Sequence, residues 1–341
     1  MSKPEMNKLQ CRQQWLAFLL LMMLLAIAGC SDRSGTAAPD GADQQVVRQP
    51  VEAGKLKLGF SGNSALIGLK ARGDLEAKLA TLPPEQSSAV EWLSFKDDAS
   101  LLRAIEEGRV DIGAVGDAVP TFLHREAATL VYLAAEPANP SAYAIAVPLD
   151  SDIFTAADLR GKRVAYPPFS NEHLLLLLAL ESAGLTATDV KPVAVAPADT
   201  EDTLAARKAD AWVVGEPELS RIEPLGIRII TDGTLSPAQR DIYISTPESM
   251  ADREALFELA IGEISAYDDW LGAEIHDAAE LLFNHTGILH AGWLASFERK
   301  TYGTAPFLPS IVGQEEQIAA AVQQLGGRKN AVNIQDFIHT P

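Results

Sequence analysis

The sequence predicts an α/β fold built as two similar lobes, and three observations carry that prediction. Short apolar runs alternate with amphipathic stretches from residue 55 to residue 245, the rhythm of largely parallel strands joined by helices. Within residues 101–122, Leu101, Leu102 and Ile105 form a helical stripe that stops at Gly108. The nearly continuous apolar run of Val110, Ile112, Ala114 and Val115 follows, as a strand buried on both faces requires. A weaker copy of this unit returns later in the chain. Gly116 and Asp117 stand five and six positions after Asp111, Gly215 and Glu216 stand five and six after Asp210, and Ile105 and Leu204 each precede their aspartate by six. Each lobe thus offers a strand that ends in glycine and a carboxylate, at the edge where open α/β sheets place their ligands.

In chain order, the alternating run over 55–61 reads as the first strand, and Ser64 as the N-cap of a helix over 65–79. A second strand spans 90–95, the central unit comes next, and a further strand covers 130–134. Glu136, Pro137, Asn139 and Pro140 break the pattern before it resumes over 143–148, which marks a crossing into the second lobe. There a strand over 163–166 and a turn at Pro167, Pro168 and Phe169 lead to a helix that runs from Ser170 to Ala183 and is stopped by Gly184. That helix is apolar all round and must be buried, yet it is too short to cross a bilayer. Strands over 193–195, 211–214 and 227–230 and a helix over 200–207 complete the lobe. Ser236, Pro237 and Ala238 return the chain, 241–245 is a strand of the first lobe, and the remainder is mostly helical. The expected organisation is residues 54–142 with 238–341 as lobe one and 143–237 as lobe two.

The amino terminus is of a different kind. Lys3, Lys8 and Arg12 precede an apolar run from Trp15 to Gly29, shorter than the roughly 20 residues of a membrane span and suited to an export signal over 1–29. Residues 30–53 are polar, small and nearly free of large apolar side chains, as a flexible tether should be. The chain of 341 residues has two cysteines, Cys11 and Cys30. Once the leader is removed one cysteine is left, which excludes an internal disulfide and a thiolate-rich metal site. The formal net charge of −18 becomes more negative still when the basic leader is lost, and so acidic a body excludes nucleic acid as a partner.

Two resemblances follow from particular residues. Ile27-Ala28-Gly29-Cys30 resembles the lipobox of bacterial lipoproteins, which implies cleavage before Cys30, acylation of that cysteine and attachment to a membrane facing the periplasm or cell exterior. The stretches LLRAIEEGRVDIGAVGDAVPTF, VYLAAEPANPSAYAIAVPLDSDI, ADLRGKRVA, SNEHLLLLLALESAGLTATDVKPV, PADTEDTLAARKADAWVVGEPEL and FERKTYGTAPFLP together resemble the substrate-binding proteins of ABC importers. Within that group they resemble the branch that binds aliphatic sulfonates, taurine and nitrate. The resemblance implies a two-lobed periplasmic-binding-protein fold of type 2 that closes on a small anionic solute, acts as a monomer and docks on an ABC permease with its ATPase. It also implies ligand contacts from Ser61, Gly62, Asn63, Gly116, Asp117, Ser170, Asn171, His173, Trp212, Glu216 and Arg299, with no cofactor, no metal and no catalytic residue. The turn Tyr166-Pro167-Pro168-Phe169 departs from the Gly/Ser-rich turn usual in sulfonate binders, and Glu216 stands where many relatives have Asp.

A sulfonate carries no proton, so its oxygens need donors. The helix starts at Asn63-Ser64 and Ser170-Asn171 would supply amides, hydroxyls and the positive dipole end, or they are simple caps. Arg299 is either a bidentate fork for the anion or an exposed arginine. Asp117 and Glu216 would repel a sulfonate head. They hold an ammonium group as on taurine, accept from the site's own donors, or cap the helices they precede. Trp212 is a core residue or lies along a carbon chain, and His173 is a buried histidine or a contact. The motifs G-x-S-x-G, HExxH, Walker A and G-x-G-x-x-G are missing, and His285 and His290 are five apart, so an enzyme is not expected. The alternatives to a sulfonate importer are an importer of taurine, nitrate, bicarbonate or a thiamine precursor, and a sensor that signals to a membrane partner.

Overall fold

The computed structural model describes residues 54–338 apart from 63, 85 and 127. The leader, Cys30 and the tether therefore lie outside the described residues, as does Asn63. Among the described residues, ten strands form two five-stranded sheets. The first holds β1 (Lys55–Ser61), β2 (Ala89–Phe95), β3 (Ile112–Gly116), β4 (Val131–Ala135) and β10 (Asp241–Ser245), in the order β2-β1-β3-β10-β4. The second holds β5 (Tyr143–Pro148), β6 (Arg163–Tyr166), β7 (Lys191–Ala194), β8 (Ala211–Gly215) and β9 (Ile227–Asp232), in the order β7-β6-β8-β5-β9. The two orders are the same pattern. In each sheet one strand runs antiparallel to both neighbours: β10 between β3 and β4, and β5 between β8 and β9. These are the two strands that follow a crossing from the other sheet.

The repeat read from sequence extends to individual hydrogen bonds. Asp111 donates its N–H to the Lys57 carbonyl and accepts the Lys57 N–H on its carboxylate, both at 2.8 Å. Asp210 does the same with Arg163, again at 2.8 Å and 2.8 Å. Each aspartate therefore fixes the entry of a central strand, β3 beside β1 in one sheet and β8 beside β6 in the other. The all-buried β3 packs beneath the helix Asp98–Glu106, and glycines on the sheet make room for it. A Cβ on Gly59 would meet Leu101 at 2.6 Å, and one on Gly113 would meet Ile105 at 2.5 Å.

Where a single helix over 65–79 was expected, two are present, Ala65–Arg72 and Asp74–Leu79, because Gly73 takes a left-handed φ of 71° and caps the first. The all-apolar helix, Asn171–Ser182, is buried for a reason its composition required. Leu175, Leu176 and Leu180 pack on the second sheet. Leu174 and Leu177 pack with Phe122, Ile318 and Val322, on helices that follow β3 and close the chain. One helix thus contributes to the core of one lobe and to the apolar seam between the two. Helices Glu254–Ala273, Ile275–Thr286 and His290–Glu298 send side chains into the core on one face of the first sheet.

The equivalent aspartates differ in surroundings. Asp111 is 3% exposed and also accepts two bonds from the Arg253 guanidinium, at 3.2 and 3.1 Å. The side chain of Asp210 is 34% exposed and is paired with a half-exposed Arg163. Asp111→Ala should cost about 3 kcal/mol, because it strands a buried amide and a guanidinium, whereas Asp210→Ala should cost about 1 kcal/mol. Urea denaturation of both variants checks this; equal losses would refute the distinction.

Candidate functional site

The carboxyl ends of β1, β3, β6 and β8 converge on a cleft between the lobes. It encloses a cavity of about 100 Å³, room for several waters or a small solute. A helix start faces it from each side. On the first lobe Ser64 caps the helix Ala65–Arg72, accepting from the Leu66 amide at 3.2 Å, with Ser61 and Gly62 beside it. On the second lobe Ser170 caps Asn171–Ser182, accepting from the His173 amide at 3.3 Å and donating to the Pro167 carbonyl at 2.8 Å. Both caps are thus made, and both line the cleft. The positive ends of two helix dipoles are aimed into one space, which favours an anion there.

Asn171 ties the lobes together at the hinge end. Its side-chain oxygen accepts the Ala118 amide at 3.0 Å, and its nitrogen donates to the Tyr143 hydroxyl and the Arg240 carbonyl at 3.3 and 3.2 Å. Gly116 must be glycine here, because a Cβ would meet the Asn171 oxygen at 2.6 Å. The crossing strands pass at the same level: Asp241 pairs with Gly116 and Tyr143 with Gly215.

Of the residues expected at the site, Ser61, Gly62, Gly116, Ser170, Asn171 and Glu216 line the cleft, and Asn63 lies outside the described residues. The others stand elsewhere. Asp117 is fully buried behind the cleft; it accepts the Arg240 amide at 3.2 Å and lies 4.0 Å from the Arg240 guanidinium. It makes no side-chain cap to the helix it precedes. Trp212 is 1% exposed in the core of the second lobe, its indole donating to Thr203 at 3.0 Å. His173 is stacked between Phe122 and Tyr166, with centroids at 4.8 and 4.9 Å, and it accepts the Phe169 amide at 3.1 Å. Burial pushes its pKa down to about 4, so it is a neutral packing residue. The neighbouring Phe169 holds a left-handed φ of 62° and meets Phe122 of the other lobe edge-on.

Arg299 is committed to carboxylates. It donates to Glu216 at 2.5 Å, to Ser220 at 2.8 Å and to Glu223 at 2.6 Å. It clasps the lobes instead of presenting a fork to an anion, while the next residue, Lys300, lines the cleft. Glu216 in turn accepts from the Ser220 amide at 3.2 Å and hydroxyl at 3.0 Å, so it serves the following helix and the clasp. Sequence reasoning missed Asp98, Glu136, Glu172, Arg240, Asp241 and Lys300, all of which line the cleft. Polar residues beside strand ends and helix starts were the available signal, as at Arg240-Asp241 before an apolar strand.

Burial raises the pKa of carboxyls in the lining of the cleft and behind it. It pushes Asp117, Glu172 and Glu218 up to about 7. Asp241 and Asp268 rise to about 8, with Glu136 adding to the effect of burial. Lys300 stays charged: burial opposes its charge, and Glu136 and Asp241 outweigh that and raise its pKa. Unfolded carboxyls titrate near pH 4, so the folded chain binds more protons between about pH 4 and pH 8, and stability falls as pH rises through that window. Melting temperatures at pH 5, 6, 7 and 8 and constant ionic strength should decline steadily, with Asp268→Asn flattening the slope. A melting temperature that rises towards pH 8 would overturn this.

Comparison with known proteins agrees with this architecture. A family model described as NMT1/THI5 like matches residues 85–256. A protein of Escherichia coli (strain K12) named for aliphatic-sulfonate binding is 31% identical over 235 residues, covering 68% of this chain and 72% of that protein. The taurine-binding periplasmic protein of the same organism is 29% identical over 153 residues, covering 45% and 47%. The alkanesulfonate-binding protein SsuA from Xanthomonas axonopodis pv. citri, solved bound to MOPS, superposes with a TM-score of 0.78 at 24% identity, covering 84% of this chain and 99% of that one. That superposition shows the two-lobed fold. The chain belongs to the NMT1/THI5-like family, among the relatives of the aliphatic-sulfonate-binding proteins.

Proposed function

We propose that this chain is the solute-binding component of an ABC importer, exported and held at a bacterial membrane through acyl chains on Cys30, and that it binds a small organic anion of the aliphatic-sulfonate class. The observation that carries this reading is the pair of helix starts, at Ser64 and Ser170, facing one cavity from opposite lobes. Such an arrangement gives an unprotonated anion donors on both sides and rewards closure around it. The relatives named for sulfonate and taurine binding support it. In this reading the lobes comprise residues 54–142 with 238–341, and residues 143–237. The contact set is Ser61, Gly62, Asn63, Gly116, Ser170 and Asn171, with Lys300 and Arg240 as the cations of the cleft. Among the described residues no histidine or cysteine lines the cleft, and the chain releases its solute unchanged.

A thermal-shift screen of the purified full-length chain in detergent, stripped of bound solute, tests this. The panel holds alkanesulfonates of two to eight carbons, nitrate, bicarbonate and a pyrimidine precursor of thiamine. A sulfonate present at 100 times its dissociation constant should add about 2.7 kcal/mol and raise the melting temperature by several degrees. A shift with nitrate, bicarbonate or the pyrimidine and none with any sulfonate would overturn the ligand class.

A further inference from the structure

Among the described residues the last α-helix, Pro309–Gln324, buries Ile311, Val312, Glu315, Ile318, Ala319 and Val322, the spacing of a core-facing stripe. All but Glu315 are apolar. Glu315 stands in the middle of them and is 0% exposed. The stripe is seated in two places. Ile311, Val312 and Ala319 pack in the core of the first lobe with Tyr132 and Ile242, and Ile318 and Val322 pack in the seam with Leu174 and Leu177 of the second lobe.

Glu315 enters this packing alone. Neither of its carboxyl oxygens has a hydrogen-bond partner among the described residues. The cation that faces it is Arg240, whose Nε stands 3.8 Å from Oε1, beyond hydrogen-bond reach. Arg240 is engaged elsewhere: it donates to Gln314 and to the Glu136 carbonyl, and Asp117 lies 4.0 Å from the same Nε. One guanidinium is left to answer two buried carboxyls. The other titratable group here is Tyr132 on β4, whose hydroxyl also lacks a partner; burial and the charges of Glu315 and Asp117 push its pKa up, so it stays neutral. Glu316, next on the helix, is exposed and turned to Gln335 at 2.8 Å. An ionised carboxylate shut from solvent and given no donor is strongly disfavoured, and such a group takes up a proton instead. Burial, with the charge of Asp117 adding to it, accordingly pushes Glu315 well above the ordinary carboxyl range, against the pull of Arg240.

We propose that Glu315 is kept as the neutral acid and that its proton is a structural part of the seat of this helix, so that the hold of the helix on the first lobe and on the seam weakens as pH rises. The device is independent of which solute the cleft takes. Ile318 follows Glu315 by three positions on the same face, so a helix that lifts at Glu315 lifts from Leu174 and Leu177 as well. On the exported reading above, the proton concentration that works the device is that of the medium.

Glu315→Gln keeps the shape of the neutral acid and cannot ionise. An unfolded glutamate titrates near pH 4, so above that pH the folded chain holds a proton that the unfolded chain has lost, and stability falls as pH rises towards the folded value. The variant has no such loss. Melting temperatures of both full-length chains in detergent, without solute, are compared at pH 5, 6, 7 and 8. The difference should move in favour of the variant by several degrees across that range. A difference that stays constant or moves against the variant, as an ordinary Arg240–Glu315 ion pair requires, overturns the inference. Hydrogen exchange places the effect: relative to the variant, amides over 309–324 should lose protection between pH 6 and pH 8, and an equal change throughout the chain overturns the helix as its seat. Carbon NMR of the unaltered chain, labelled at the glutamate side-chain carboxyl, decides the matter even where the variant does not fold. One glutamate should remain protonated at pH 9, after Glu172 and Glu218, both at about 7, have ionised. Ionisation of every glutamate at that pH overturns the inference.

Discussion

The site depends on where each sheet admits a strand from the far side of the chain. β5 enters the second sheet between β8 and β9, and β10 enters the first between β3 and β4, each antiparallel to its neighbours. That insertion places the two crossings against the ends of the two central strands, so Gly116 meets Asp241 and Gly215 meets Tyr143. The hinge and the floor of the cleft are consequently the same few residues. Hydrogen bonds that must be satisfied in a buried sheet thereby fix which side chains a solute encounters.

Electrostatics in this cleft follow from burial more than from net charge. An acidic chain would be a poor receptor for anions if its surface charge reached the site, but exposed charge is screened over about 8 Å at physiological salt. What counts locally is that carboxyls such as Glu172 and Asp241 are driven towards neutrality at ordinary pH, while Lys300 keeps its proton between Glu136 and Asp241. Helix starts provide donors that carry no titratable group at all.

The fold was legible because its signals are periodic and repeated. The offsets around Asp111 and Asp210 marked the central strands, and the structure gives those aspartates matching bonds to Lys57 and Arg163. The lining of the cleft was legible at strand ends and helix starts, at Ser61, Gly62, Gly116, Ser170 and Asn171. It was not legible where long side chains decide. Arg299 and Lys300 are adjacent in sequence, and which of them reaches the cleft depends on how the helix His290–Glu298 ends and on Glu216 and Glu223 arriving from the other lobe. Trp212 and His173 stand on elements next to the cleft, and the side of the strand or helix they occupy is settled by packing partners, Thr203 for one and Phe122 with Tyr166 for the other. Asp117 occupies the expected spacing, but its carboxylate turns to Arg240.

The helix Asn171–Ser182 has its first turn in the cleft, one flank in the core of the second lobe and another against helices of the first. It therefore joins the lining of the cleft to the apolar seam in one rod. On the reading proposed above, parting the lobes would draw Leu174 and Leu177 across Phe122 and Val322 and carry Ser170 away from Ser64, so that opening and release would be one movement.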